Sequence, residues 1–131
     1  MIDRKILLTV LVSAVVAGGA VQLLHAQTKP PVYAIAMVNV KDVDGYTKEF
    51  LPKVQPAIKE YGGEYLAGGM KKTTAFAGEQ PPNRVVVLKF PNDEAWKKFE
   101  DGPNGKTLRE EVSKKYADWK ALWVVEGVEQ K

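Results

Sequence analysis

Two stretches of this chain are apolar without the polar alternation of a half-exposed strand. Val32 to Val40 reads VYAIAMVNV, and Arg84 to Phe90 reads RVVVLKF. β-Branched and aromatic residues dominate both. Pro31 and Lys41-Asp42 bound the first, and Pro81-Pro82-Asn83 and Pro91 bound the second. Both predict strands, and in the first neither face is plainly polar, so both faces should be covered. In the first, Tyr33, Ile35, Met37 and Asn39 share one face, while Val32, Ala34, Ala36, Val38 and Val40 share the other, because side chains alternate across a strand.

Elsewhere the period is helical. Tyr46, Phe50, Val54, Ile58 and Tyr61 recur every three or four residues, one apolar stripe over four turns. Asp42 and Asp44 offer N-cap oxygens before it, and Gly62-Gly63 supplies a left-handed stop after it. Pro52 and Pro56 fall opposite the stripe, on the solvent side, and predict a kinked helix or two segments in line. Glu64 to Ala67 reads as a second strand closed by Gly68-Gly69, and Thr73 to Phe76 offers a continuation of it. Pro91-Asn92-Asp93-Glu94 opens a helix carrying Ala95, Trp96 and Phe99, with its acids at the positive end of the dipole. Gly102-Pro103-Asn104-Gly105 breaks that helix. Leu108, Val112, Tyr116 and Trp119 then predict another, and Ala121 to Val128 a last strand. Residues 129–131 form a tail.

The order β-α-β-β-α-(α)-β is the split βαβ of a ferredoxin-like fold. It is an α+β arrangement with a four-stranded antiparallel sheet and its helices on one face. The first and third strands take its centre, and they are the two most apolar strands in the chain. One sheet face stays without helices, and a second copy packing sheet to sheet would cover it, so the expected assembly is a homodimer.

The N-terminus changes where such a domain would be found. Arg4 and Lys5 precede an uncharged run from Ile6 to Leu24, and Ala26 stands before Gln27. A basic start, an apolar middle and a small residue at the cut describe a secretory signal peptide over residues 1–26. The expected location is periplasmic or secreted, with contact to a membrane only where the leader is retained as an anchor. Residues 27–31 make a polar lead-in, stiffened by Pro30-Pro31, and residues 32–128 form the domain. Of 131 residues, 105 remain after cleavage, one domain's length.

Composition narrows the chemistry. The chain has no cysteine, and its single histidine, His25, lies in the leader. The mature chain thereby lacks the commonest base, thiol nucleophile and soft metal ligands. Net charge is +3, and losing Asp3, Arg4 and Lys5 lowers it to +2. The lysine pairs are scattered among acids, so nucleic acid is not an expected partner. Asp42 and Asp44 do not continue into a calcium loop. No phosphate-binding or dinucleotide fingerprint occurs, and neither a metal nor a cofactor is expected.

Four stretches resemble the bacterial domain of unknown function 1330 family. They are Tyr61-Gly-Gly63 with Tyr65-Leu-Ala67, Pro81-Pro82 with Arg84 to Leu88, Phe90 with its helix start, and Val125-Glu-Gly-Val128. The resemblance runs from Tyr33 to Val128. It implies a ferredoxin-like protomer of the dimeric α/β-barrel superfamily, pairing through its sheets, with a cavity between sheet and helices. It supplies no reaction. The family commonly has an arginine before the glycine pair of its second strand, where this chain has Leu66-Ala67. It often has a tyrosine-rich serine-proline segment where this chain reads Phe99 to Gly105.

Candidate site residues follow from burial and polarity. Glu126 sits among Val124, Val125 and Val128, where apolar surroundings would raise its pKa and fit it as a base. The competing reading has it point outward near the strand end, or pair across the sheet with Arg84, the one basic residue opening a buried strand. Tyr33, Met37, Tyr65, Trp96 and Trp123, with Arg84, are candidates to line an apolar pocket, against which stands an ordinary core role. The leading expectation is an exported homodimer holding a small apolar or aromatic molecule. The alternative is a cofactor-independent oxygenase or isomerase in which Glu126 or a tyrosine moves a proton, and a third reading is an interaction module whose sheet face binds a different protein. N-terminal sequencing of protein purified from its host is expected to begin at Gln27, whereas a start at Met1 would mean a retained leader.

Overall fold

The structure is a computed structural model, described here for residues 29–128. The leader at 1–26 and the tail at 129–131 lie outside the described residues. β1 (Val32–Val40) leads into a continuous helix, α1, built from Val43–Gly45, Tyr46–Phe50 and Leu51–Glu60. Then come β2 (Glu64–Gly69), β3 (Arg84–Phe90), α2 (Asp93–Asp101), α3 (Lys106–Glu111), a 3-10 turn at Ser113–Lys115, and β4 (Ala117–Glu126). The sheet order is β2-β3-β1-β4, with all neighbours antiparallel. It is the ferredoxin-like sheet, with β1 and β3 central.

Strand alternation decides what the sheet buries. On β1, Val32, Ala34, Ala36, Val38 and Val40 are buried, and on β3 so are Arg84, Val86, Leu88 and Phe90. The helices cover this inner face with Tyr46, Phe50, Val54, Ile58, Trp96, Phe99 and Leu108. The outer face carries Tyr33, Ile35, Met37, Val85 and Val87, none fully buried, together with exposed Trp123 and Val125.

Local chemistry sets the helix ends. Asp42 Oδ1 accepts a hydrogen bond from the Gly45 amide at 3.0 Å, and Asn92 Oδ1 accepts one from the Ala95 amide at 2.9 Å. Gly62, at φ 83°, provides the left-handed stop after α1. Pro52 and Pro56 are both exposed, as their position opposite the apolar stripe predicts. A π turn precedes Pro52, whereas Pro56 lies within the α-helical segment. Over Tyr46–Phe50 the helix widens, and the Leu51 amide donates to the Tyr46 carbonyl five residues back. A proline ring collides with the carbonyl four residues earlier in a straight helix, and the extra residue in the turn gives Pro52 that room.

Two expectations are corrected. The helix after Gly105 does not continue to Trp119. It stops at Glu111, and the chain turns through Ser113–Lys115 into β4, which begins at Ala117 and ends at Glu126. Ladder pairing with β1, Val40 opposite Ala117 and Asn39 opposite Asp118, satisfies the backbone more fully than another helical turn would. The amides of Lys41 and Asp42 also both donate to the Tyr116 carbonyl. Thr73 to Phe76 forms no strand. Its Phe76 is 98 % exposed, so no apolar burial holds it in an extended pairing.

Two side-chain devices finish the sheet. Asn83 caps the end of β1, accepting from the Val40 amide and donating to the Val40 carbonyl, each at 2.8 Å. Gly68 on β2 has φ 92°, and a Cβ there would lie 1.7 Å from the Val85 carbonyl oxygen. Gly68→Ala is therefore expected to cost at least about 3 kcal/mol, read as a lowered urea midpoint or as failure to fold.

Candidate functional site

Between the inner sheet face and the helices lies a cavity of about 50 Å³. Two aromatic groups form much of its wall. In one, the Tyr46 and Phe50 rings sit 4.9 Å apart, and Trp119 meets Phe50 edge-on at 6.3 Å. In the other, Phe90, Trp96 and Phe99 contact one another at 5.3 to 5.7 Å, with Trp96 and Phe99 reaching the cavity. Ala36, Val38, Val54, Ile58, Val86 and Leu88 fill much of the rest.

Backbone irregularities aim several of these side chains. Tyr46 and Phe50 begin and end the π turn, so widening of the helix and the site coincide. A register shift in the β1–β4 ladder leaves Trp119 opposite Val38 and Leu122 opposite Ala36. Lys120 is the extra residue of this bulge, so Trp119 and Leu122 share the inner face although three residues apart. A second shift, between Tyr65 and Ala67, keeps Tyr65 opposite Leu88 on the inner side of β2.

Two arginines line the cavity, in contrasting states. Arg109 is paired with Glu100 at 2.6 Å, with its guanidinium over the Trp119 ring at 5.6 Å. Ser113, fully buried, accepts from the Trp119 indole at 2.9 Å and donates to the Arg109 carbonyl. This chain of contacts fixes the α3 side of the cavity. Arg84 is 5 % exposed and has no ion-pair partner among the described residues. Its guanidinium lies over the Tyr46 ring, 5.4 Å from the centroid. Burial pushes the Tyr46 hydroxyl up to about 12, and the Arg84 charge pulls against that shift without cancelling it. Tyr65, at the rim and 41 % exposed, is raised by burial too, again opposed by Arg84. Near neutral pH both phenols keep their protons. The cavity thus presents a cation and two hydroxyl donors in an apolar wall, and among the described residues no carboxylate lines it.

The candidate residues are divided by strand parity. Arg84, Tyr65 and Trp96 meet at this cavity. Met37 lies on the other sheet face, where it shares with Trp123 a cleft of about 670 Å³ under the β2–β3 loop. Tyr33 is also on that face, against Gly127. Glu126 is exposed, so the apolar surroundings expected for it are absent. The pairing of Glu126 with Arg84 is corrected as well. Arg84 stands opposite Val38 and Glu126 opposite Val32, roughly 20 Å apart along β1 at about 3.3 Å per residue. Tyr46, Phe50, Trp119 and Arg109 complete the site. The first two look like ordinary core in the helical stripe, and a bulge hides the third from any periodic reading. Among the described residues no group of three acidic or other metal-ligating side chains converges.

The family model of the domain of unknown function DUF1330 matches residues 31–128. The fold is similar to that of a protein of unknown function from Rhodopseudomonas palustris, at 12 % identity and a TM-score of 0.58, over 87 % of this chain and 93 % of that one. It is also similar to a conserved protein of unknown function from Bacteroides thetaiotaomicron, described as a "Possible Oxidoreductase", at 14 % identity and a TM-score of 0.53, over 76 % and 99 %. At such identities the likeness is one of fold. No curated protein matches the chain.

Retention of the Tyr46 proton makes stability fall in alkali. Below pH 10 both folded and unfolded chains hold that proton. Between about 10 and 12 the unfolded chain releases it first, so rising pH favours unfolding, by roughly 2–3 kcal/mol for the full shift. Urea titrations across this range should show the decline, and Tyr46→Phe should reduce it.

Proposed function

The chain belongs to the DUF1330 family, and we propose that it is an exported homodimer whose protomers each bind a small apolar or aromatic molecule between sheet and helices. The observation that carries the reading is the cavity itself. Protein interiors are packed with few voids larger than water, yet here a space opens against Tyr46, Phe50, Trp96 and Trp119. Binding sites are characteristically apolar and aromatic with a few polar groups at fixed places. The ligand is small. An apolar cavity of about 150 Å³ takes up benzene, and this one is about 50 Å³, so anything ring-sized needs the rim at Tyr65 to give way.

Pairing of protomers is supported by the outer sheet face. Ile35, Met37, Val85, Val87, Trp123 and Val125 together make an apolar surface in the middle of a sheet, and contiguous apolar surface of this kind marks interaction sites. A second copy of the same face is self-complementary in chemistry. Export is supported by the sequence pattern of residues 1–26.

A cofactor-free oxygenase or isomerase would need a base beside the ligand. Glu126 lies outside the cavity, and the lining phenols are held protonated, so binding has the stronger support. Native mass spectrometry of protein from its own host tests the reading. The expected species has twice the mature mass and retains a small molecule, and Val87→Glu should yield the monomer. An empty monomer of the wild-type protein would overturn the proposal.

A further inference from the structure

The polar end of the cavity indicates what the bound molecule carries. Arg84 is nineteen-twentieths buried, 5 % exposed, on the inner sheet face beside Val86 and Leu88. Arg109, at the same cavity, is neutralised by Glu100; Arg84 has no such carboxylate among the described residues. The Tyr46 ring beneath it and the hydrogen bond it gives the Tyr46 hydroxyl are neutral partners that offset only part of the desolvation of a guanidinium. A second protomer on the outer face has no access to it, because the sheet itself intervenes. A cation in this position is unfavourable until an anion joins it.

We propose that the cavity binds a small monocarboxylate, its carboxylate on the Arg84 guanidinium and its hydrocarbon body against the neighbouring lining residues Val38 and Val86. The inference rests on the cavity being the binding site argued above. Three features select this class. The guanidinium fork matches a carboxylate with two parallel hydrogen bonds. The Tyr46 hydroxyl, and that of Tyr65 at the rim, keep their protons near neutral pH and are available as further donors. One uncompensated positive charge is balanced by one negative charge, whereas a phosphate dianion would leave an unpaired charge in an apolar wall.

The test compares acids with their neutral isosteres. Wild-type protein is titrated with propionate and propionamide, with benzoate and benzamide, and with toluene, following the tryptophan indole resonances. The acids should bind roughly 10- to 100-fold more tightly than the amides. Arg84→Met should erase that preference while retaining toluene, and should raise the melting temperature of the ligand-free protein, since it replaces a buried unpaired charge with an apolar chain. Should Arg84→Met fail to fold, the wild-type comparison still decides. Equal binding of acids and amides, a preference that survives in Arg84→Met, or a folded variant of clearly lower melting temperature would overturn the inference alone. Failure of acids, amides and toluene together to bind would remove the cavity reading as well.

Discussion

β1 and β3 pair along nearly their whole length, and they hold the two central places of the sheet. Each inner-face side chain they bury contributes about 1.5–3 kcal/mol for a residue the size of valine, leucine or phenylalanine. Val32, Val38, Val86, Leu88 and Phe90 together outweigh the several kcal/mol that one buried guanidinium costs. This imbalance is why Arg84 can open β3 on the inner side at all. An isolated cation on a short edge strand would turn to solvent. At the start of a central strand it is committed by parity to the side that Val86, Leu88 and Phe90 require.

The same constraint explains why a cavity exists next to that arginine. Regular helices on a regular sheet close up to crystal-like density. Here three departures from regularity meet around one space: the π turn before Pro52, the bulge at Lys120 and the ladder shift after Tyr65. Each adds a residue locally and re-aims an aromatic side chain. π turns and bulges recur at functional sites because they displace side chains without disturbing the rest of the element. Their convergence on Tyr46, Phe50, Trp119 and Tyr65 gives the space an aromatic lining instead of a collapsed one.

Much of the fold is legible in the sequence because its strongest signals are periodic. VYAIAMVNV and RVVVLKF specify central strands, the stripe from Tyr46 to Tyr61 specifies a helix, and Gly62-Gly63 and Asn92 set helix boundaries through chemistry that needs no tertiary context. Signals that are not periodic are lost. The spacing Leu108, Val112, Tyr116, Trp119 fits a helix by coincidence, and only the available edge of β1 makes a strand from Ala117 the better solution. Bulges add one residue and invert parity beyond it, so Trp119 cannot be placed from spacing. Met37 and Tyr33 look as suitable for a pocket as Tyr65 and Trp96 until the helices choose a face. Arg84 and Glu126 are both in phase with the inner face, and only register, which spacing does not reveal, separates them along the ladder.

Arg84 is the one buried charge at the cavity without an ion-pair partner among the described residues. Among the described residues the polar side chains that face the space are a guanidinium, two protonated phenols and a second guanidinium already occupied by Glu100. The phenol oxygens accept as well as donate, but none of these groups carries negative charge, so their donors favour a ligand that brings it. A carboxylate satisfies them in the ground state. An enolate formed from a bound molecule would satisfy them too, but the proton lost in forming it would have to be accepted by the ligand, by solvent at the open rim beside Tyr65, or by a co-reactant. On the proposed reading the electrostatics of the cavity suit an anion that arrives with the ligand, and among the described residues no lining side chain is placed to take the proton that forming one would release.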